Sequence, residues 1–278
     1  LGWEMYYEEL DMIIQTLPFV DRGWIPVQDI VEDADPSILF EGEAFHSILE
    51  NEGISTYGIA DEEVKDSDYS NLTSGEETEK RPYKNIREMS FKVRKVLNQE
   101  LGKKYVYAYT DLIDKTCHEH GPGSEEEKVQ LEEISDSLER ELGKVDKEVA
   151  EKTLVLFSAD HGQIRKSDEV DLMKYEEVRE KLETAQGRPI TPCGSARSVF
   201  LHVKEGEIRN LKEFLEDQID AQIFRTEEAF KEGLFGDRET GENFYSRAGD
   251  LLIIPNGKKS YWYDTDEYDQ EGYHVGLH

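Results

Sequence analysis

Five residues, Thr153-Leu-Val-Leu-Phe157, run apolar without a break into Ser158-Ala159-Asp160-His161-Gly162. Such a run is expected of a parallel strand buried on both faces, and the carboxyl ends of such strands are where open α/β sheets hold ligands. Asp160 and His161 therefore stand as candidate metal ligands. The bland alternative is that Asp160 caps a following helix and Gly162 makes the turn.

A second cluster bears on that choice. Tyr105-Val-Tyr-Ala-Tyr109 reads as another short strand, followed by Asp111, Asp114, His118 and His120 and then by Gly121-Pro-Gly-Ser124. Asp114 and His118 are four residues apart, so one irregular or helical turn can aim both at a single cation. A third group, His274-Val-Gly-Leu-His278, closes the sequence. Together the three favour a metal site over solvated polar loops.

In order and spacing, Asp114-x-x-x-His118 with Gly121-Pro122, Ala159-Asp160-His161-Gly162 and Gly276-Leu277-His278 are similar to motifs of the alkaline phosphatase superfamily. Within it the chain resembles the type I phosphodiesterase and nucleotide pyrophosphatase family, from near Leu1 to His278. The resemblance implies two divalent metal ions. Asp160 and His161 would hold the ion nearest the nucleophile, and Asp114, His118 and His278 the other. Carboxylate and imidazole suit Zn²⁺, or Mn²⁺, better than Cu(I). His120 reads as a substrate contact, a spare ligand or a polar loop histidine, and His274, four residues before His278, as a substrate contact or, if its segment is helical, a ligand, with the family pattern favouring His278. The implied reaction is hydrolysis of phosphodiester or nucleotide pyrophosphate bonds through a Thr or Ser hydroxyl that attacks phosphorus, with water releasing the covalent enzyme. That nucleophile and the family's first metal-binding Asp lie upstream of the segment that Leu1-Gly-Trp-Glu4 resembles. By this resemblance the 278 residues are a fragment, inactive alone, of a longer enzyme. Ser70, Thr73 and Ser74 are the in-chain hydroxyls that could replace the nucleophile, or simply belong to a surface loop. Cys193-Gly-Ser-Ala-Arg197 superficially resembles a sulfatase modification site, but lacks its Pro and follows Asp160-His161 instead of preceding it. The competing functions are a phosphomonoesterase or another superfamily hydrolase, and a non-catalytic acidic module for metal binding or interaction.

Charge narrows the partners. With 63 acidic and 33 basic side chains the net charge is -30, which repels nucleic acid backbones and anionic membranes. A small phosphate ester or nucleotide is still admissible, because bound cations invert the local sign. Such acidity along the whole chain is similar to that of proteins from salt-loving organisms. Cys117 and Cys193 form neither a metal spacing nor a disulfide framework, so a cytoplasmic location is the default. No apolar stretch approaches the ~20 residues of a membrane span.

Periodicity fills in the elements. Residues 3–19 have an ambiguous period, with the resemblance favouring paired strands. Helices are expected at 44–51, 86–101 and 208–219, and strands at 55–59, 198–203, 221–224 and within 247–254. Residues 61–81, acidic and rich in Ser and Thr, read as an exposed loop. Ser124 with Glu127 forms a capping box opening a helix that carries Leu131, Ile134, Leu138, Leu142, Val145 and Val149. Thr226 is expected to cap 227–230. A right-handed strand–helix–strand crossover from Tyr105 to Phe157 would bring both metal clusters to one sheet edge. The expected fold is α/β, a mostly parallel sheet sandwiched by helices with a small α/β insert. Residues 1–165 would form the core, 166–245 the insert or cap, and 246–278 the return to the core with the last ligand.

Overall fold

The structure is a computed structural model and describes residues 2–62, 67–75, 77–236, 241, 243–263 and 270–274. The chain divides into two compact units, Leu1–Ala34 with His161–His278, and Asp35–Asp160. These cuts follow packing, whereas the expected core, insert and return were cut at 165/166 and 245/246.

The chain opens with β1 (Glu4–Tyr7), β2 (Met12–Gln15), β3 (Val20–Asp21) and a single turn, α1 (Val27–Ile30). The ambiguous period of 3–19 resolves into a hairpin in which Tyr7 faces Met12 and Glu4 faces Gln15. Asp11 makes the turn in the left-handed region, at φ 48°, and accepts a hydrogen bond from the Tyr6 hydroxyl.

Residues 35–160 carry α2 (Phe45–Asn51), β4 (Ser55–Ile59), α3 (Asp68–Thr73), β5 (Glu79–Lys80), α4 (Ile86–Gln99), β6 (Lys104–Ala108), α5 (Leu112–His120), α6 (Glu125–Leu142) and α7 (Lys147–Ala150). The strands form a parallel sheet in the order β5-β4-β6. Tyr57 and Ile59 on β4 and Ile86, Met89 and Val96 on α4 make its core, with Ile134 and Leu138 of α6 packed against it. Asn85 caps α4 and Ser124 caps α6, each side chain accepting from an amide three residues on. The Glu127 carboxylate turns back to the amide of Gly123 instead of that of Ser124. Arg94 on α4 and Glu141 on α6 join the two helices at 2.8 Å.

Three expectations in this unit need correction. Residues 61–81 are not simply a loop, since Ser67 caps α3 and β5 pairs with β4. The helix expected to reach Val149 ends at Leu142, where Gly143 follows and α7 restarts the chain. Most consequentially, Thr153–Phe157 lies in no strand. Leu154, Val155, Leu156 and Phe157 are 81, 45, 81 and 72% exposed, and their backbone has no hydrogen bond among the described residues. Apolar composition makes a segment fit for a sheet, but a strand exists only where a neighbour takes its amides and carbonyls.

The remaining residues form β7 (Gln163–Arg165), β8 (Glu169–Asp171), α8 (Glu176–Lys181), β9 (Thr184–Ala185), β10 (Arg188–Pro189), β11 (Cys193–Ser195), β12 (Ser198–Leu201), α9 (Ile208–Gln218), β13 (Ala221–Arg225), α10 (Thr226–Lys231), α11 (Phe244–Ala248), β14 (Leu251–Pro255), β15 (Ser260–Trp262) and β16 (Gly272–His274). Seven strands make the largest sheet, β13-β14-β12-β11-β1-β2-β3. Val199, Leu201, Leu251 and Ile253 of its centre pack with Leu211 and Leu215 of α9. The α/β class stands, but every neighbouring pair in this sheet is antiparallel, and among the described strands parallel pairing occurs in β5-β4-β6 and β15-β8. Strands joined by two to four residues, such as β11–β12 and β1–β2, cannot pair otherwise. Thr226 stands inside α10, its buried hydroxyl without a partner, so it is no cap. The Glu228 carboxylate accepts from the amide of Arg225 instead.

Where β1 meets β11, Glu4 pairs with Gly194, whose φ is +94°. A Cβ on Gly2 would fall 2.3 Å from the Cα of Gly194, so the two backbones approach as only glycines allow.

Candidate metal centre

After β6 the chain turns through Asp111 into α5, which carries Asp114 in its first turn and His118 in its last. The helical period puts the two on one face, and Asp114 Oδ1 lies 3.4 Å from His118 Nε2. Both side chains are partly exposed. A carboxylate oxygen and an imidazole nitrogen at this spacing fit a borderline divalent cation.

Asp160 belongs to the same surroundings. Burial pushes the Tyr109 phenol up to about 12, with Asp111, Asp160 and Asp114 adding to the shift. Tyr107 is raised too, by burial, with a contribution from Asp160. Asp114 and Asp160 therefore both act on the carboxyl end of β6. Negative charge is concentrated there, as a cation site requires. Tyr107 and Tyr109 stack with centroids 6.4 Å apart and planes 14° apart, a feature legible only as an i, i+2 aromatic repeat on one face of a strand.

His120 ends α5, its Nε2 3.7 Å from a carboxylate oxygen of Glu119, and Gly121 terminates the helix at φ 80°. In the other unit, β16 pairs antiparallel with β7, placing His274 opposite Gln163. The His161 and His274 rings lie 3.8 Å apart between centroids. His278 falls outside the described residues.

The in-chain hydroxyl candidates lie on or beside α3. Thr73 donates to the Tyr69 carbonyl at 2.8 Å, Ser74 to the Ser70 carbonyl at 2.5 Å, and Ser70 receives a hydrogen bond from Ser67. Cys117 and Cys193 are buried and unpaired. Burial pushes their thiols up to about 11 and about 12, so both are protonated near neutral pH.

One polar cluster had no counterpart in the sequence reading. Thr78 Oγ1 lies 2.7 Å from Glu50 Oε1, 2.8 Å from Thr56 Oγ1 and 3.2 Å from His46 Nδ1. Only His46 and Glu50 share a local period, which is why the cluster left little trace in the sequence.

The profile of the type I phosphodiesterase / nucleotide pyrophosphatase family matches residues 39–278. The chain belongs to this family. No curated protein matches this phosphodiesterase-family chain in sequence. Among solved structures, murine ectonucleotide pyrophosphatase / phosphodiesterase 5 is similar over 99% of this chain and 67% of its own, at 14% identity and a TM-score of 0.67. An inactive form of that protein in complex with AMP is similar at 13% identity over the same shares, with a TM-score of 0.65. Phosphonoacetate hydrolase from Sinorhizobium meliloti 1021, in complex with phosphonoformate, is similar over 99% of this chain and 71% of its own, at 13% identity and a TM-score of 0.60. At such identities the likeness is one of fold, which places this family member among alkaline phosphatase-like structures.

Proposed function

We propose that this chain is the metal-binding part of a hydrolase that cleaves phosphodiester or nucleotide pyrophosphate bonds. The observation that carries the reading is Asp114 and His118 on one helical face, 3.4 Å apart, at the strand end where Asp160 also acts. In this reading Asp160 and His161 hold one divalent ion, and Asp114, His118 and His278 a second, zinc in preference to manganese. Bound there, two such ions neutralise charge on phosphoryl oxygens and lower the pKa of an attacking hydroxyl. The carboxylates of Asp114 and Asp160 would supply oxygen ligands for cations, and His120 and His274 would touch the substrate. The nucleophile is a Thr or Ser on a segment upstream of Leu1, in keeping with the hydroxyls of Thr73 and Ser74, which are spent on helix carbonyls.

A nucleotide is the favoured substrate, because the murine relative is described in complex with AMP. Among the described residues no helix is long and apolar enough to cross a membrane. The same reading takes the protein to be cytoplasmic, on its two unpaired cysteines.

Metal analysis of purified variants, made in the chain with its upstream residues restored, tests the assignment. His118→Ala and Asp160→Ala each lose an ion together with zinc-dependent hydrolysis of an aryl phosphodiester. His120→Ala retains its metal. Loss of an ion from His120→Ala but not from His118→Ala would show the ligand register to be wrong.

A further inference from the structure

Of the described lysines and arginines, Arg197 is the most deeply buried, 3% exposed. It stands in the loop Ala196-Arg197, where β11 turns back into β12 and Ser195 pairs with Ser198. Connecting loops ordinarily face water, but β15 covers this one. The Tyr261 amide donates to the Ala196 carbonyl at 2.9 Å, and Arg197 Nη1 donates to the Lys259 carbonyl at 2.5 Å. Arg197 Nε has no partner, and among the described residues no carboxylate pairs with the guanidinium. The next most buried arginine, Arg247, is gripped by both oxygens of Glu9, and Arg22 reaches the buried Glu4 at 2.6 Å. In a chain with 63 acidic side chains, a buried cation facing none of them stands apart. Burial pushes its pKa down, yet a guanidinium is too basic to shed its proton near neutral pH, so the charge remains.

A second open donor lies beside it. Ser260 directly follows the Lys259 whose carbonyl Arg197 holds, is 0% exposed, and leaves its hydroxyl without a partner. Its amide is already committed to the Asp168 carbonyl. An enclosed water would satisfy the hydrogen bonds of both groups, but it brings no negative charge, and a buried ion needs one. We propose that Arg197 Nε and Ser260 Oγ hold a halide-sized monovalent anion, chloride. Two open donors suit a spherical ion, in surroundings that Ala196 and Tyr261, both packed in the core, make apolar. A phosphate or a carboxylate would carry in several acceptor oxygens, more than these donors can satisfy. Bound there, the anion fastens the β11–β12 loop to β15. The site uses none of the candidate metal ligands and no step of the hydrolysis.

Urea unfolding tests this at a fixed potassium concentration with chloride exchanged stepwise for gluconate, so that ionic screening stays constant while the anion changes. For one site, each tenfold rise in chloride above its dissociation constant raises the ratio of folded to unfolded chain about tenfold. Arg197→Met, which keeps most of the bulk and removes the charge, loses that dependence. Ser260→Ala keeps it but needs more chloride for the same effect. An equal chloride response in the parent and in Arg197→Met overturns the proposal. Should Arg197→Met not fold, crystals of the parent soaked in bromide decide the matter. An anomalous bromide peak within hydrogen-bond reach of Arg197 Nε and Ser260 Oγ supports the site, and a water or no density there overturns it. A bromide peak at that place in a parent whose stability ignores chloride marks an adventitious ion only, and overturns it as well.

Discussion

His202 is 4% exposed, meets the edge of the Tyr6 ring at 5.0 Å, and its Nε2 has no hydrogen-bond partner. Burial pushes its pKa down from 6.5 to about 4. A histidine depressed in the folded state leaves stability intact above its unfolded pKa, and stability falls as pH drops from about 6.5 toward 4 because only the unfolded chain takes up the proton. At ~1.4 kcal/mol per unit the loss approaches about 3 kcal/mol. Urea unfolding of His202→Phe should therefore lose less stability than the parent between neutral pH and the low end of that window. Neighbouring Glu183 and Asp250, both raised by burial, act with the opposite sign, so the difference between variant and parent is the measure. Identical pH slopes would count against a buried neutral imidazole. The sequence placed His202 in an element-like run but held no sign that its second nitrogen would be orphaned, because the elements that bury it are distant in the chain.

Glu141 illustrates how elements are fastened together. Lys144 at 2.6 Å and Arg94 at 2.8 Å hold its carboxyl down to about 2. A depressed carboxylate stabilises above its unfolded pKa, and the contribution disappears as pH falls through the folded value. Charge-assisted bonds of this kind suggest that Glu141→Gln costs about 2 kcal/mol at neutral pH. Thermal melts would register it, and an unchanged melting temperature would show the α4–α6 link to be idle. The sequence announced this packing only in part. α6 was legible from Ser124, Glu127 and a leucine-rich period, and β4 and β6 from their aromatic and β-branched runs, since caps and periods are local signals. The strand expected at Thr153 is absent because pairing depends on a partner that composition cannot supply. Thr226 was misread because the helix begins one residue earlier than a cap there requires. At the candidate site, the Asp114–His118 spacing was visible at once, being a single helical turn. The influence of Asp160 on Tyr109 depends on a crossover of some fifty residues, and the sequence could only suggest it.

Taken as a whole, the molecule carries 63 acidic against 33 basic side chains, and like charges crowd it in dilute buffer. Raising salt to ~1 M shortens the screening length to ~3 Å and should relieve that repulsion. The melting temperature is accordingly expected to rise by several degrees between low and molar potassium chloride. A flat or falling profile would mean that ion pairs such as Arg22–Glu4 and Arg247–Glu9 already balance the surface.

The pairing of β1 with β11 brings together residues about 190 positions apart. A ribosome adding ~5–20 residues per second makes Gly194 roughly ten to forty seconds after Glu4. Throughout that interval the β1–β2–β3 ribbon is without its inner neighbour, while Asp35–Asp160, contiguous in sequence, already has its own core to close. Birth order and spatial order thus run in opposite directions, and β1 is synthesised long before the strand that seats it. During that wait Tyr6 and Tyr7 of β1 lack the β11 side of their sheet, an exposure a chaperone would cover.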